Sequence, residues 1–312
     1  MAKHIGEFWL QGEEDKTFLG EIKLGKRKSE LSLTIPSTGE LERGALLQSD
    51  PLRPVVGVTT CGKRITLTDY FQASFPLSFG RPRRAKFFIN AAFIDLPDEI
   101  GKCDPEVETA VITSKSLAEW SGETSIERDP DQTWAARYSP PDPKEIYKDA
   151  DYAIELAFGA SMESSRTRAS IADNTRIELN AERPLAWSRV FTALSSVLDV
   201  MSIGCRGYCK ISHAYATSSN PPYIANYHFH SLFPHAKAPP FTRWLFTLRD
   251  LPDSAFIKWM GQAGQLRRAR ALFFSAKHHK VFTETRALLL TQAVEAYYRR
   301  AYKDEGNLVP PV

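Results

Sequence analysis

The chain has 312 residues, 43% of them hydrophobic and 25% charged, which is the composition of a globular protein with room for one large or two ordinary domains. No apolar run reaches the roughly 18 residues that span a bilayer, the opening "MAKHIGEFWLQGEEDK" has no apolar signal core, and four cysteines (Cys61, Cys103, Cys205, Cys209) are too few for a disulfide framework, so a reducing cytoplasm is expected. The net charge of +3 is uneven: from Pro239 onward 12 Lys and Arg face 6 Asp and Glu, while residues 1–238 net −3.

In chain order, the first 180 or so residues alternate like a β protein. "ELSLTI", "PVVGVTT", "RITLTDYF", "AKFFINAAFI", "ETAVIT" and "DYAIELAF" are separated by Gly, Pro, Asp and Asn turns. In the first, Leu31, Leu33 and Ile35 share one face. "PLAWSRVFTALSSVLDVMSIG" then carries Trp187, Val190, Phe191, Leu194, Val197, Leu198 and Met201 at helical spacing. Pro184 suits the first turn of that helix and Gly204 its C-cap. Two strand-like runs follow, "CKISHAYATS" and "NYHFHSLF", then a proline-bearing linker, "FPHAKAPPF". The remainder reads as helical, through "FTRWLFTL", "SAFIKWMGQAGQLRRARALFFSAKHH" and "VFTETRALLLTQAVEAYYRRAYKDEG". The last has one apolar stripe, Phe282, Leu289, Leu290, Ala293, Val294, Tyr297 and Ala301, with Gly306 placed to cap it and Pro310 beyond. The expected class is therefore α+β: a mainly antiparallel, sandwich-like β domain over 1–238 with one long packed helix, then a helical segment over 239–312.

Several residue groups are candidates for chemistry. His228 and His230 lie two apart on a strand, so both face one way, and His235 is near; Cys205, Cys209 and His213 precede them. These are candidate metal ligands, against the ordinary reading of packed or surface histidines. Arg267, Arg268, Arg270, Arg299, Arg300 and Lys303 are candidate phosphate contacts, against solvated helix faces. "GRPRRAKFF" clusters Arg81, Arg83, Arg84 and Lys86. There is no P-loop and no Gly-x-Ser-x-Gly elbow. No cofactor is implied.

The ordered blocks resemble a known family. "GEFWLQGEEDKTFLGEIKL" (Gly6 to Leu24) resembles the opening of the ApeA N-terminal domain, and "VVGVTTCGKRITLTDYF" (Val55 to Phe71) its next block. Leu117 to Trp120 resembles its Leu-x-x-Trp, and Tyr138 to Pro141 its Tyr-x-Pro-Pro. "RALLLTQAVEAYYR" (Arg286 to Arg299) is similar to an early helix of a HEPN domain, with Gln292, Ala293, Glu295 and Arg299 in register. The resemblance implies abortive-infection defence against phage and a metal-independent HEPN ribonuclease that uses Arg, four to six residues, then His. No His follows Arg300, so that motif is absent from the C-terminal region. The only pair at the right spacing is Arg206 and His213, in strand-like surroundings; Glu295 is a further candidate for a catalytic groove. The expectation is a sensor or regulatory part of a HEPN system, not nuclease-competent alone. Its expected partners are a tRNA-like RNA at the basic segment, a second copy at the terminal helix and a phage-derived trigger, with no membrane. The alternatives are a ligand- or metal-binding β domain without a nucleic-acid role, and an inactive dimerising module.

Overall fold

A computed structural model describes residues 2–25, 29–35, 54–74, 83–96, 104–123, 126–128, 136–164, 169–205, 209–219, 222–229, 244–252, 254–278 and 282–301. The expected linker "FPHAKAPPF", Gly306 and Pro310 lie outside them.

The first strands are β1 (Ala2–Leu10), β2 (Phe18–Leu24), β3 (Glu30–Ile35), β4 (Val55–Thr59), β5 (Arg64–Ser74) and β6 (Arg83–Ile94). They pair in the order β6-β3-β2-β1-β4-β5, and β5 then pairs back onto β6, from Ile65 opposite Ile94 to Ser74 opposite Lys86. This is a closed six-stranded antiparallel barrel, which overturns the sandwich-like expectation. Alternation demands one buried face, but it does not say whether that face meets a second sheet or curls onto itself. Closure depends on the 11 and 12 residues of β5 and β6 and on register shifts around Asp69 and between Gln72 and Ser74, which bend the pair.

The barrel interior is filled by Phe8, Ile22, Leu31, Leu33, Leu67, Phe87 and Ile89, each at most 1% exposed. Phe8 sits in space that two glycines leave on the neighbouring strands. A Cβ on Gly57 would lie 2.2 Å from Phe8 Cδ1, and one on Gly20 would lie 2.8 Å from Phe8 Cδ2.

Strand β6 joins the barrel to an extension of the same sheet. Residues 83–88 pair with β3, and Ala91–Ile94 pair with β16 (Pro222–Phe229). From β16 the sheet continues through β15 (His213–Ser219), β7 (Glu106–Thr113), β14 (Arg176–Ala186), β11 (Tyr152–Ala157) and β10 (Lys144–Lys148), all antiparallel. Two hairpins stand apart, β8 (Ile126–Arg128) with β9 (Ala136–Tyr138), and β12 (Ala160–Ser164) with β13 (Ala169–Asp173). The short helix α1 (Leu117–Ser121) buries Leu117 and Trp120 completely.

The long helix α2 (Trp187–Gly204) covers the sheet extension. Its stripe is the one that helical spacing predicts: Val190, Leu194, Val197 and Met201 are fully buried, and each contributes about 1.5–3 kcal/mol. Two boundary expectations fail. Pro184 lies in β14, not in the helix, where the pairing with β7 skips from Asn180 to Leu185; a proline without an N–H fits such a break in the ladder. Gly204 is the last helical residue, and Cys205, with φ −89°, is the cap. The helix start is served instead by Asp104, whose carboxylate accepts from the Ser188 N–H at 2.7 Å and the Ser188 hydroxyl at 2.5 Å.

The described part of "FTRWLFTL" is not the expected helix, and leads into a short 3-10 turn (Leu248–Asp250) boxed by Thr247 and Asp250. Three helices follow: α3 (Ser254–Gly261), α4 (Ala263–His278) and α5 (Thr283–Ala301). Helix α3 joins the sheet core through Phe256 and Met260, and α4 with α5 forms a helical hairpin. Among the described residues, no helix is long and apolar enough to cross a membrane.

Candidate functional site

The hairpin is seated on α2 by one arginine. Arg270 Nε donates to Asp199 Oδ2 at 3.1 Å, and its Nη2 donates to Ser196 Oγ at 3.0 Å. Its guanidinium lies 4.7 Å from the centre of the Trp259 ring, and Trp259 Nε1 donates to the Ser196 carbonyl at 2.9 Å. Thus α2, α3 and α4 are tied at one point. Only 13% of the Arg270 side chain is exposed, so this residue, expected at a phosphate surface, is turned inward onto Asp199. Burial pushes the Asp199 carboxyl above its ordinary value, against the opposing pull of Arg270.

The other basic candidates are distributed differently. Arg300 Nη1 donates to the Gln265 carbonyl at 2.6 Å and holds the end of α5 to α4. Arg299 pairs with Glu295 one turn earlier, both largely exposed, an arrangement that adds a few tenths of a kcal/mol at most. Glu295, a catalytic candidate, thus sits in a surface ion pair. Arg268 is exposed on α4; Arg267 is a helical residue of α4 whose side chain lies outside the described set, as does the whole of Lys303.

Helix α5 shows a divided apolar surface. Ala293 is 5% exposed, and Leu289 and Ala296 are half-buried on the same side. The stripe read as one in the sequence splits here. Leu290, Val294 and Tyr297 are 37%, 68% and 45% exposed, with Tyr298 beside them; Leu288 and Phe282 are exposed too, away from this face. Ala287, Leu290, Val294, Tyr297 and Ala301 follow one another at alternating steps of three and four, the repeat of a seam between paired helices. This exposed apolar surface makes the outward face of α5 a candidate interaction site.

Among the described residues the histidines do not gather. His228 Nε2 lies 2.8 Å from Ser29 Oγ, and Ser29 is 1% exposed. Ser29 Oγ in turn accepts from the Gly25 N–H at 3.0 Å. This link stands where β3 and β16 follow each other along β6, so His228 joins barrel to sheet. His213 is exposed at the start of β15, opposite Thr113. His230, His235 and Arg206 lie outside the described residues. Among the described residues no group of three or more His, Cys, Asp or Glu is placed to hold a metal ion.

A surface that residue order does not reveal is the outer wall of the barrel, where β1, β2, β3 and β6 form a cleft of about 350 Å³. Its apolar part is Ile5 and Leu19, and its cations include Arg84 and Lys86 on β6. Glu21 is held to about 2 by Lys23 and Lys3, with which it pairs at 2.7 and 2.8 Å. Arg84 and Lys86 have no carboxylate partner among the described residues. Cross-strand register makes this grouping: Ser32 is opposite Lys86 and Thr34 opposite Arg84.

No curated protein and no solved structure matches the chain. The family described as ApeA N-terminal domain 1 matches residues 3–259, which takes in the barrel, the sheet extension, α2 and most of α3, and leaves the α4–α5 hairpin beyond it. The match covers most of the chain, so the chain belongs to the ApeA N-terminal domain 1 family, a family of antiphage defence proteins.

Proposed function

We propose that this chain is the sensor and regulatory part of an antiphage HEPN ribonuclease system. The β body offers the cleft on its barrel wall to an infection signal, and the α4–α5 hairpin passes the bound state to ribonuclease helices. The observation that carries this reading is the seam on α5: Leu290, Val294 and Tyr297 repeat at helix-pairing spacing yet are exposed, while Arg270, midway along α4, anchors the hairpin to α2. A rigid base and an uncovered apolar face suit a coupling element.

The test is retention of a HEPN ribonuclease domain, supplied separately, by the purified chain. Retention is expected, and Leu290→Glu combined with Val294→Glu should abolish it while the circular dichroism spectrum stays that of the folded chain. Retention unchanged by the two charges would contradict the reading. Sedimentation of the chain alone as a dimer, dissolved by the same substitutions, would assign the seam to a second copy instead. The chain alone is expected to leave tRNA intact.

A further inference from the structure

Two thiols unused by that reading lie side by side. Cys205 and Cys209 have their Sγ atoms 3.4 Å apart, and both residues are buried, at 3% and 2% exposure. Neither is in a disulfide. Cys205 caps α2, its N–H bonding the Met201 carbonyl at 2.9 Å, and the Cys209 N–H donates to Ser202 Oγ at 3.0 Å. The last turn of α2 therefore holds both cysteines from the backbone side. The next link leads to the helical arm: the Leu245 N–H donates to the Gly204 carbonyl at 2.7 Å, and Phe246 packs directly on Gly204.

We propose that Cys205 and Cys209 form an oxidation site, closing to an intramolecular disulfide in exchange with a low-molecular-weight disulfide. The sulfurs need to approach by only a little over an ångström to reach bonding distance, about 2.05 Å. In the first step one cysteine thiolate attacks the small disulfide, forms a mixed disulfide and expels one small thiolate. In the second, the neighbouring cysteine thiolate attacks the protein sulfur of that mixed disulfide and expels the other. The protein loses two electrons and two protons, and the small disulfide becomes two thiols. The second step is intramolecular and favoured by the pairing. The first is slow, because the hydrogen bond that the Cys209 thiol donates to Cys205, and then burial, hold that thiol well above its ordinary range. The site therefore responds to sustained oxidation, not to a brief pulse. Closure re-sets the end of α2, on which the segment entering the helical arm is hung.

The other described thiol, Cys61, is exposed and single, and serves as an internal control. The chain is equilibrated with oxidised glutathione, quenched with acid, and mapped by mass spectrometry without reduction. The expected result is a peptide pair joined at Cys205 and Cys209, two hydrogens lighter than the reduced form, alongside Cys61 carrying one glutathione. Cys209→Ala should leave Cys205 without the cross-link. Hydrogen exchange of the α4 and α5 amides should differ between the oxidised and reduced protein. Cys205 and Cys209 remaining as dithiols while Cys61 is fully modified would overturn the proposal, as would glutathione retained on either buried cysteine without closure. This outcome is independent of the ribonuclease partnership, since it is read on the isolated chain.

Discussion

Gly57→Val is expected to destabilise the barrel by about 3 kcal/mol or more, at or above the top of the usual range for overpacking a core. A Cβ at position 57 would sit 2.2 Å from Phe8 Cδ1 and 2.5 Å from Cε1, inside a closed barrel whose strands have no free edge to yield. Phe8 is fully buried, and its Cα is opposite Gly57 in the β1–β4 register, so the ring has nowhere to turn. Phe8→Ala alone should cost about 3–5 kcal/mol through the cavity it leaves. The two changes share most of one volume and are therefore not additive: Phe8→Ala with Gly57→Val should lose clearly less than the sum of the two single losses, the remainder coming from the Glu7 carbonyl 2.9 Å from the new Cβ. Urea unfolding of the four proteins measures this, and additive losses would show that the glycine does not serve the ring. The same geometry explains why β2 and β4 carry glycine at positions 20 and 57.

Arg270→Ala is expected to lower stability by about 3 kcal/mol, the lower end for breaking a buried ion pair, because Asp199 keeps 26% of its side chain exposed. The loss has three parts: Asp199 is left without its cation, Ser196 Oγ loses a donor, and the Trp259 ring loses the guanidinium stacked on it. The damage should also be directional. Limited proteolysis should cut the α4–α5 hairpin first, while the barrel, which Arg270 does not touch, survives as a resistant fragment. Arg270→Lys restores charge but not the forked contact, and should recover only part of the loss. Equal stability of Arg270→Ala and the parent would mean that the hairpin is held by other contacts.

These two sites show how far the sequence can be read. Alternation located β3, with Leu31 and Leu33 inward, and helical spacing located the buried face of α2. Both are local signals. Barrel closure is not local: the same alternation serves a sandwich, and only the β5–β6 register decides. Strand β14 escaped notice because Arg176, Glu178 and Asn180 dominate its look, although Ile177 and Leu179 between them are fully buried. Arg270 looked like a surface cation because its partner, Asp199, is 71 residues upstream on another helix. The single stripe read on α5 divides in space, Leu289 and Ala293 inward and Leu290 and Val294 outward, since consecutive residues stand about 100° apart around a helix and the two pairs straddle the edge of the covered face. Cys205 and Cys209 were legible as neighbours but not as a hydrogen-bonded pair of buried thiols.

On the function proposed above, the outward face of α5 couples an antiphage sensor to a ribonuclease. Protection from phage in cells that carry this chain together with a HEPN ribonuclease domain tests it most directly, comparing the parent with Leu290→Glu plus Val294→Glu. The prediction is loss of protection at unchanged protein level; full protection by the doubly substituted chain would contradict it.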